Sequence, residues 1–284
     1  MSAIHDAKQK AHRAERKARP WTVALARLGH AAKGLVYIII GFLAFRAASG
    51  SGGETTTSQG ALYRIAQQPM GGLLLGCVGI GLVGYALWRF VQAGLDTDGK
   101  GSDAKALLQR LGYALSGVTY AGLAFSAFKI VLHVRSKSAS PQDWTAALLA
   151  QPLGQWLVAA AGAIVIGIGL NAFYKAYSAK FCERLNTAQM SPRELAGVSF
   201  IGRAGYAARG VVLSVIGWFL IQAALQSNPK QSRGLDQALD ALARGSNGNW
   251  ILGTVAAGLI AYGIYALAEA RYRDFHGNSQ NKQA

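Results

Sequence analysis

Charge is scarce in this chain and negative charge scarcer: 15% of the 284 residues are charged, with 13 Asp and Glu against 29 Lys and Arg. The shortage is sharpest inside six long apolar runs, none of which holds an Asp or Glu; Glu269 lies at the end of the last. Carriers coupled to protons or sodium usually keep a carboxylate at mid-membrane, because a buried ionisable group is costly unless it has a task. Its absence argues against a carrier of that kind. Two cysteines, Cys77 in an apolar run and Cys182 in a basic connector, exclude a disulfide framework and have no metal-ligand spacing. The five histidines (His5, His12, His30, His133, His276) form no HExxH pair, so no metal site is expected. A Gly-x-Ser-x-Gly elbow, a Walker loop and a dinucleotide fingerprint are missing as well. With no acid–base or nucleophile set in view, no catalytic residue and no cofactor is assigned, and the chain is expected not to be an enzyme. No cleavable signal peptide is recognisable: residues Met1 to Pro20 are basic and polar, and the first apolar run is of full spanning length.

What is present in quantity is apolar and small. Hydrophobic residues make up 51% of the chain and 35 residues are Gly, a composition usual for closely packed membrane helices. A stretch at 27–46, RLGHAAKGLVYIIIGFLAFR, returns at 110–129 as RLGYALSGVTYAGLAFSAFK and at 203–222 as RAGYAARGVVLSVIGWFLIQ. From the opening Arg to the closing polar residue, each copy covers roughly 28 Å as a helix, about the thickness of a bilayer's hydrocarbon core. Each copy is followed by a polar connector with a short amphipathic piece, then by a second apolar run. Six spans result, at about 29–48, 71–91, 112–132, 153–177, 204–225 and 250–268. A repeat of this length decides the architecture. The fold class is all-α: a polytopic membrane protein whose six transmembrane helices form three parallel two-helix repeats in a pseudo-threefold bundle. The expected divisions are a basic N-terminal segment at 1–26, repeats at 27–97, 105–185 and 198–275, and a C-terminal tail at 276–284. In the third connector, Leu235, Ala238, Leu239 and Leu242 recur at helical spacing, which predicts a helix lying on the membrane surface.

The net charge of +16 would suggest nucleic acid in a soluble protein. Here the basic residues sit in the gaps between apolar runs, so anionic lipid head groups are the expected partner and nucleic acid is not. The tails, the second and fourth connectors and the adjoining helix ends hold about nineteen Lys and Arg, against about eight at the other connectors, which puts both termini in the cytoplasm. Protein partners are not assigned, and a homo-oligomer stays open.

The threefold Arg-x-Gly-[His/Tyr]-Ala helix, paired with a second helix after a Gln-Pro-x-Gly corner, resembles the domain of unknown function 1206 family of bacterial integral membrane proteins. The residues that carry it are Arg27, Gly29, Gly34; Arg110, Gly112, Gly117; Arg203, Gly205, Gly210; and the Pro69-Met70-Gly71 and Pro152-Leu153-Gly154 corners. The third repeat departs, with Ser246-Asn247-Gly248-Asn249 and no Pro. The resemblance implies a two-helix unit occurring three times and a bacterial inner-membrane location, and it implies no activity.

The candidate binding residues are cationic and aromatic, and they too repeat. Lys33, Ser116 and Arg209 share one repeat position; His30, Tyr113 and Tyr206 share another, three residues earlier and so on the same helix face. Under pseudo-threefold packing they ring a pocket that takes an anion or lipid head group; on the other reading Lys33 and Arg209 snorkel to the interface and only set topology. Arg27, Arg110 and Arg203 open their helices against the macrodipole and need an offsetting partner, for which lipid phosphate is a candidate. Gly34, Gly41, Gly117, Gly210, Gly217 and the Gly72-x-x-x-Gly76 pair are assigned to helix packing. Asn171, deep in the fourth span, is expected to make an interhelical hydrogen bond. Two functions fit: a non-catalytic component that binds lipid or protein, or a small pore or uncoupled carrier for an anion or small polar solute.

Overall fold

The structure, a computed structural model, describes the backbone of residues 2–50, 54–94, 104–134, 140–244 and 246–272, and most side chains from Val23 onward. The C-terminal tail, the basic side chains of the N-terminal segment, and His5, His12 and His276 lie outside the described side chains. Six long helices run through the molecule: α1 (Ser2–Ala48), α3 (Gly71–Gly94), α4 (Ala104–Val131), α6 (Gly154–Ser178), α7 (Pro192–Leu225) and α9 (Gly248–Tyr272). Each contains a segment long and apolar enough to cross a membrane. Three short helices sit in the connectors: α2 (Ser58–Ala66), α5 (Pro141–Leu149) and α8 (Leu235–Leu242). The face that carries them is termed the connector face; the opposite one, where α9 ends, is the terminal face. The basic N-terminal segment continues α1 as helix, as its Ala-, Lys- and Arg-rich sequence favours.

Local chemistry sets the helix boundaries. Ser191 accepts from the Glu194 amide, the Glu194 carboxylate accepts from the Ser191 amide, and Pro192 opens the first turn of α7. Ser140, Asp143 and Pro141 do the same for α5. At the corners before α3 and α6, Met70 and Leu153 adopt left-handed backbone (φ 60° and 63°), which turns the chain sharply. The glycine after each corner is pressed onto the preceding short helix: a Cβ at Gly71 or Gly154 would lie 2.1 Å from the Ala66 or Leu148 carbonyl oxygen. The third corner keeps that contact without a proline, since a Cβ at Gly248 would lie 1.9 Å from the Ala243 oxygen.

Around the bundle the helices follow the order α4, α3, α1, α9, α7, α6. Neighbouring repeats meet at glycines. Gly34 lies against Gly263, Gly41 against Ala256, Gly217 against Gly162, Gly210 against Phe173, and Gly117 against Phe90. Within the first repeat, Gly29 lies against the Tyr85 backbone and Gly81 against Ala32; within the third, Gly205 meets Tyr262 and Gly258 meets Ala208. The second repeat lacks such a seam, and α4 and α6 do not pack together along their lengths. Gly72 and Gly76 correct the packing expectation: nothing approaches either within 4 Å, because that face of α3 turns away from every other helix. Asn171 is likewise exposed and makes no hydrogen bond among the described residues.

The connector-face part of the bundle is filled by an apolar cluster that includes Val36, Ile40, Leu82, Leu123, Val212 and Leu259. Leu62 of α2 and Leu239 of α8 cap it and are wholly buried. Helix α8 therefore lays its apolar stripe on α7 and α9 rather than along a membrane surface. Side chains tie the connectors to one another: Thr55 Oγ1 donates to Asp240 Oδ1, Gln142 to the Ser232 carbonyl, and Thr145 to Ser232 Oγ.

Candidate anion site in the bundle interior

Towards the terminal face, the lining of the bundle changes from aliphatic to cationic and aromatic. On α1, His30, Lys33 and Tyr37 follow one another at spacings of three and four and so share one face. His30 is wholly buried; its Nδ1–H donates to the Ala26 carbonyl at 2.7 Å and its ring meets Tyr85 edge-on at 5.0 Å. Lys33, about two turns in from Ala26, is only 2% exposed. Its Nζ stands 4.7 Å from the Tyr262 ring centre and 5.3 Å from that of Tyr85. The snorkelling reading is thus corrected for Lys33: its ammonium turns inward onto two ring faces.

A second cation faces the same tyrosine from α3. The Arg89 guanidinium stacks 4.8 Å over Tyr85 and 5.2 Å over Tyr113, donates from Nε and Nη2 to the Tyr85 hydroxyl, and donates from Nη1 to Gln92 Oε1 at 2.9 Å. A third comes from α7. Arg209 Nη1 donates to the Tyr262 hydroxyl at 2.8 Å, and its guanidinium lies 5.3 Å over that ring. Arg209 Nε is buried and has no acceptor among the described residues. Tyr120 of α4 meets Tyr85 edge-on at 4.5 Å, Tyr37 meets Tyr262 at 4.8 Å, and Tyr206 meets Tyr262 at 5.4 Å. Arg209 also lies near Tyr37, Tyr85 and Tyr120, so the three cations and these rings form one cluster in the bundle interior.

The charge balance of that cluster is uneven. Lys33, Arg89 and Arg209 face a single carboxylate among the described residues, Glu269, itself 4% exposed. Each cation–ring contact contributes on the order of 1–2 kcal/mol when desolvated. Withdrawing an ammonium or guanidinium from water costs several kcal/mol even after relaxation. Lys33 and Arg209 also repel one another. Tyrosine faces and one carboxylate do not balance a buried ammonium and two half-buried guanidiniums, and a bound anion would.

The candidate arginines separate into two groups. Arg27 and Arg203 are exposed at the terminal face and meet no acceptor among the described residues. Arg110 has a protein partner: its Nε donates to the Ala93 carbonyl at 2.8 Å and its Nη2 to the Gly94 carbonyl. It thereby caps the carbonyl end of α3, where a cation is favoured by the dipole of that helix. No lipid phosphate is needed to offset it. Arg110→Gln should cost about 1–2 kcal/mol of stability, as expected for charged hydrogen bonds to backbone. Arg203→Gln should stay within about 0.5 kcal/mol, and detergent-phase thermal unfolding of the two variants checks the contrast.

Lys33, His30, Tyr206 and Arg209 converge on the chamber, Tyr113 lies half-buried under Arg89, and Ser116 is half-buried on α4. Sequence reasoning missed Tyr85, Arg89, Gln92, Tyr120, Tyr262 and Glu269. The available signal was periodic: Tyr85, Arg89 and Gln92 recur at helical spacing on α3, as Tyr262, Tyr265 and Glu269 do on α9.

Six crossing helices, built as three parallel copies of a two-helix unit around a common interior, define a multi-pass membrane protein of internal-repeat architecture. The family described as Domain of Unknown Function (DUF1206) matches the chain three times, at residues 28–96, 111–179 and 204–273, and the chain belongs to that family. It is 38% identical over 259 residues to the uncharacterized protein YxxB of Bacillus subtilis (strain 168), covering 91% of this chain and 94% of the relative. No solved structure matches it.

Proposed function

We propose that this protein is a non-catalytic component of the bacterial inner membrane, both termini cytoplasmic, that binds an anionic lipid head group in the cation–tyrosine chamber. One observation carries the reading: among the described residues, Arg209 Nε, a cationic donor on a half-buried guanidinium, is buried without an acceptor, beside the buried Lys33, whose ammonium meets ring faces and the field of Glu269. Buried donors are nearly always satisfied, so an orphan of this kind points to a ligand oxygen. The excess of basic residues on the terminal side supports a cytoplasmic placement of the chamber. The pore reading is weaker, because the apolar cluster from Val36 to Leu259 stands between the chamber and the connector face.

The test is native mass spectrometry of delipidated protein titrated with phosphatidylglycerol or phosphatidylcholine. The wild type should prefer the anionic lipid. Lys33→Gln with Arg209→Gln should lose about tenfold to a hundredfold of that preference, the effect of removing two charge-assisted contacts. A double variant with the wild-type preference would sink the reading. Anion flux through wild-type liposomes, abolished by the same double variant, would transfer the chamber to the pore alternative.

A further inference from the structure

The first and third repeats close their internal seams by one device, and the second has lost half of it. Helices α3, α6 and α9 begin at equivalent glycines, Gly71, Gly154 and Gly248. Ten residues on stand Gly81, Ile164 and Gly258; fourteen on stand Tyr85, Ile168 and Tyr262. On the partner helices, Gly29, Gly112 and Gly205 correspond, as do Ala32, Leu115 and Ala208. The seam of the first repeat is so close that a Cβ at Gly81 would lie 2.7 Å from the Ala32 Cβ; in the third, a Cβ at Gly258 would lie 2.4 Å from that of Ala208. The second repeat puts Ile and Leu at these two places, too large for so close an approach, and α4 and α6 do not pack together. Gly112, Gly122 and Gly167 accordingly meet nothing within 4 Å, and Leu115 and Ile164 are 47% and 53% exposed.

What lies behind this gap is the chamber. Tyr120 of α4 packs on Tyr85 and is in electrostatic contact with Arg209, and on the α6 side the Lys175 ammonium stands 5.7 Å over Tyr206. The gap thus leaves Leu115 on α4 and Ile164 and Ile168 on α6 exposed, with the cationic cluster at its terminal end. A second copy of this chain would bring no complementary charge to it, since the apolar runs contain no carboxylate. A free anion would have no use for the apolar length. The polarity of the gap matches a bilayer lipid with a negatively charged phosphate.

We propose that the open α4/α6 seam is a lateral portal: an acyl chain of an anionic phospholipid lies between Leu115 and Ile164, and its phosphate lies against Arg209. The proposal rests on the head-group reading of the chamber and adds the route and the seat of the chain. Because α4 and α6 already stand apart, the seat does not need a conformational change.

The experiment uses phosphatidylglycerol with a diazirine near the end of one acyl chain, photolysed with the full-length protein in nanodiscs, and maps the labelled peptides. Wild-type label should concentrate on α4 and α6. Two seam variants act by opposite geometry: Gly167→Trp fills the gap, and Leu115→Ala with Ile164→Gly restores the small pair of the other repeats and lets the helices close. Both should reduce label on α4 and α6 to the background of a phosphatidylcholine probe, while their thermal stability stays at or above wild type. Label that persists in both seam variants and vanishes in the Lys33→Gln, Arg209→Gln protein overturns the portal and leaves the head-group reading standing. Label that persists in the latter protein overturns the phosphate's seat at Arg209. A wild-type dimer with an unlabelled seam, split to monomers by Gly167→Trp, would mean that a second copy occupies the gap and would likewise overturn the proposal.

Discussion

Gly34→Leu should leave little folded protein in detergent, whereas Gly76→Leu should melt as the wild type does. A Cβ at Gly34 would lie 2.7 Å from the Gly263 carbonyl oxygen, and one at Gly263 would lie 2.6 Å from the Gly34 oxygen. Both obstacles are backbone, so no rotamer change relieves them; α1 and α9 must separate. Lipid tails are as apolar as leucine, so helices in a bilayer gain little from hydrophobic burial and depend on close van der Waals contact. A separation of an ångström or so forfeits a large part of each contact along the seam. Overpacking of a tight site commonly costs about 1–3 kcal/mol, and a leucine driven against the α9 main chain belongs at or beyond the upper end. Gly76 has no neighbour within 4 Å, so its variant should stay within about 0.5 kcal/mol. Thermal unfolding followed by fluorescence-detected size exclusion measures both; equal melting temperatures would mean that the α1/α9 seam does not hold the bundle together.

The same pair shows where sequence reading ended. Gly34 and Gly76 carry equivalent signals, small residues at helical spacing in an apolar run, and only the neighbouring helix decides which one packs. The odd-numbered spans were legible because Arg27, Arg110 and Arg203 frame each copy and fix its register to the glycines that follow. The six spans and the repeat order followed from that, and the family match falls on the same three units. Half of the chamber was legible for the same reason, since Lys33 and Arg209 stand at one repeat position. The other half was not. Tyr85 and Tyr262 belong to the even spans, where an aromatic in an apolar run reads equally well as facing lipid. Whether Lys33 turned outward or inward depended on those rings, because an ammonium stays buried only where something receives it. The interhelical hydrogen bond expected of Asn171 is missing among the described residues for a related reason: Asn171 is exposed on α6, which packs on α7 and not on α4.

Lys33→Met should raise the melting temperature of the lipid-free protein and abolish its further stabilisation by phosphatidylglycerol. Methionine is unbranched, close to the lysine stem in length and adaptable in packing, so the apolar contacts of the side chain are kept. What is lost is the ammonium. Its two ring faces return roughly 2 kcal/mol each at best, while its desolvation costs several kcal/mol and Arg209 repels it. Glu269 keeps a cation after the change, since Arg89 also interacts with it. Replacing a whole buried ion pair by apolar residues is often stabilising by about 1–4 kcal/mol; here only one of the cations near Glu269 is replaced, and a gain of about 1 kcal/mol, at the low end of that range, is expected in detergent without lipid. Adding phosphatidylglycerol should then raise the melting temperature of the wild type and leave the variant where it was, because a ligand stabilises only through its affinity for the folded state. A lysine with a purely structural role gives the opposite pattern: the variant melts lower, and both proteins respond to lipid alike. A residue that costs stability and confers binding is placed for the ligand, and the two melting curves distinguish that from a strut.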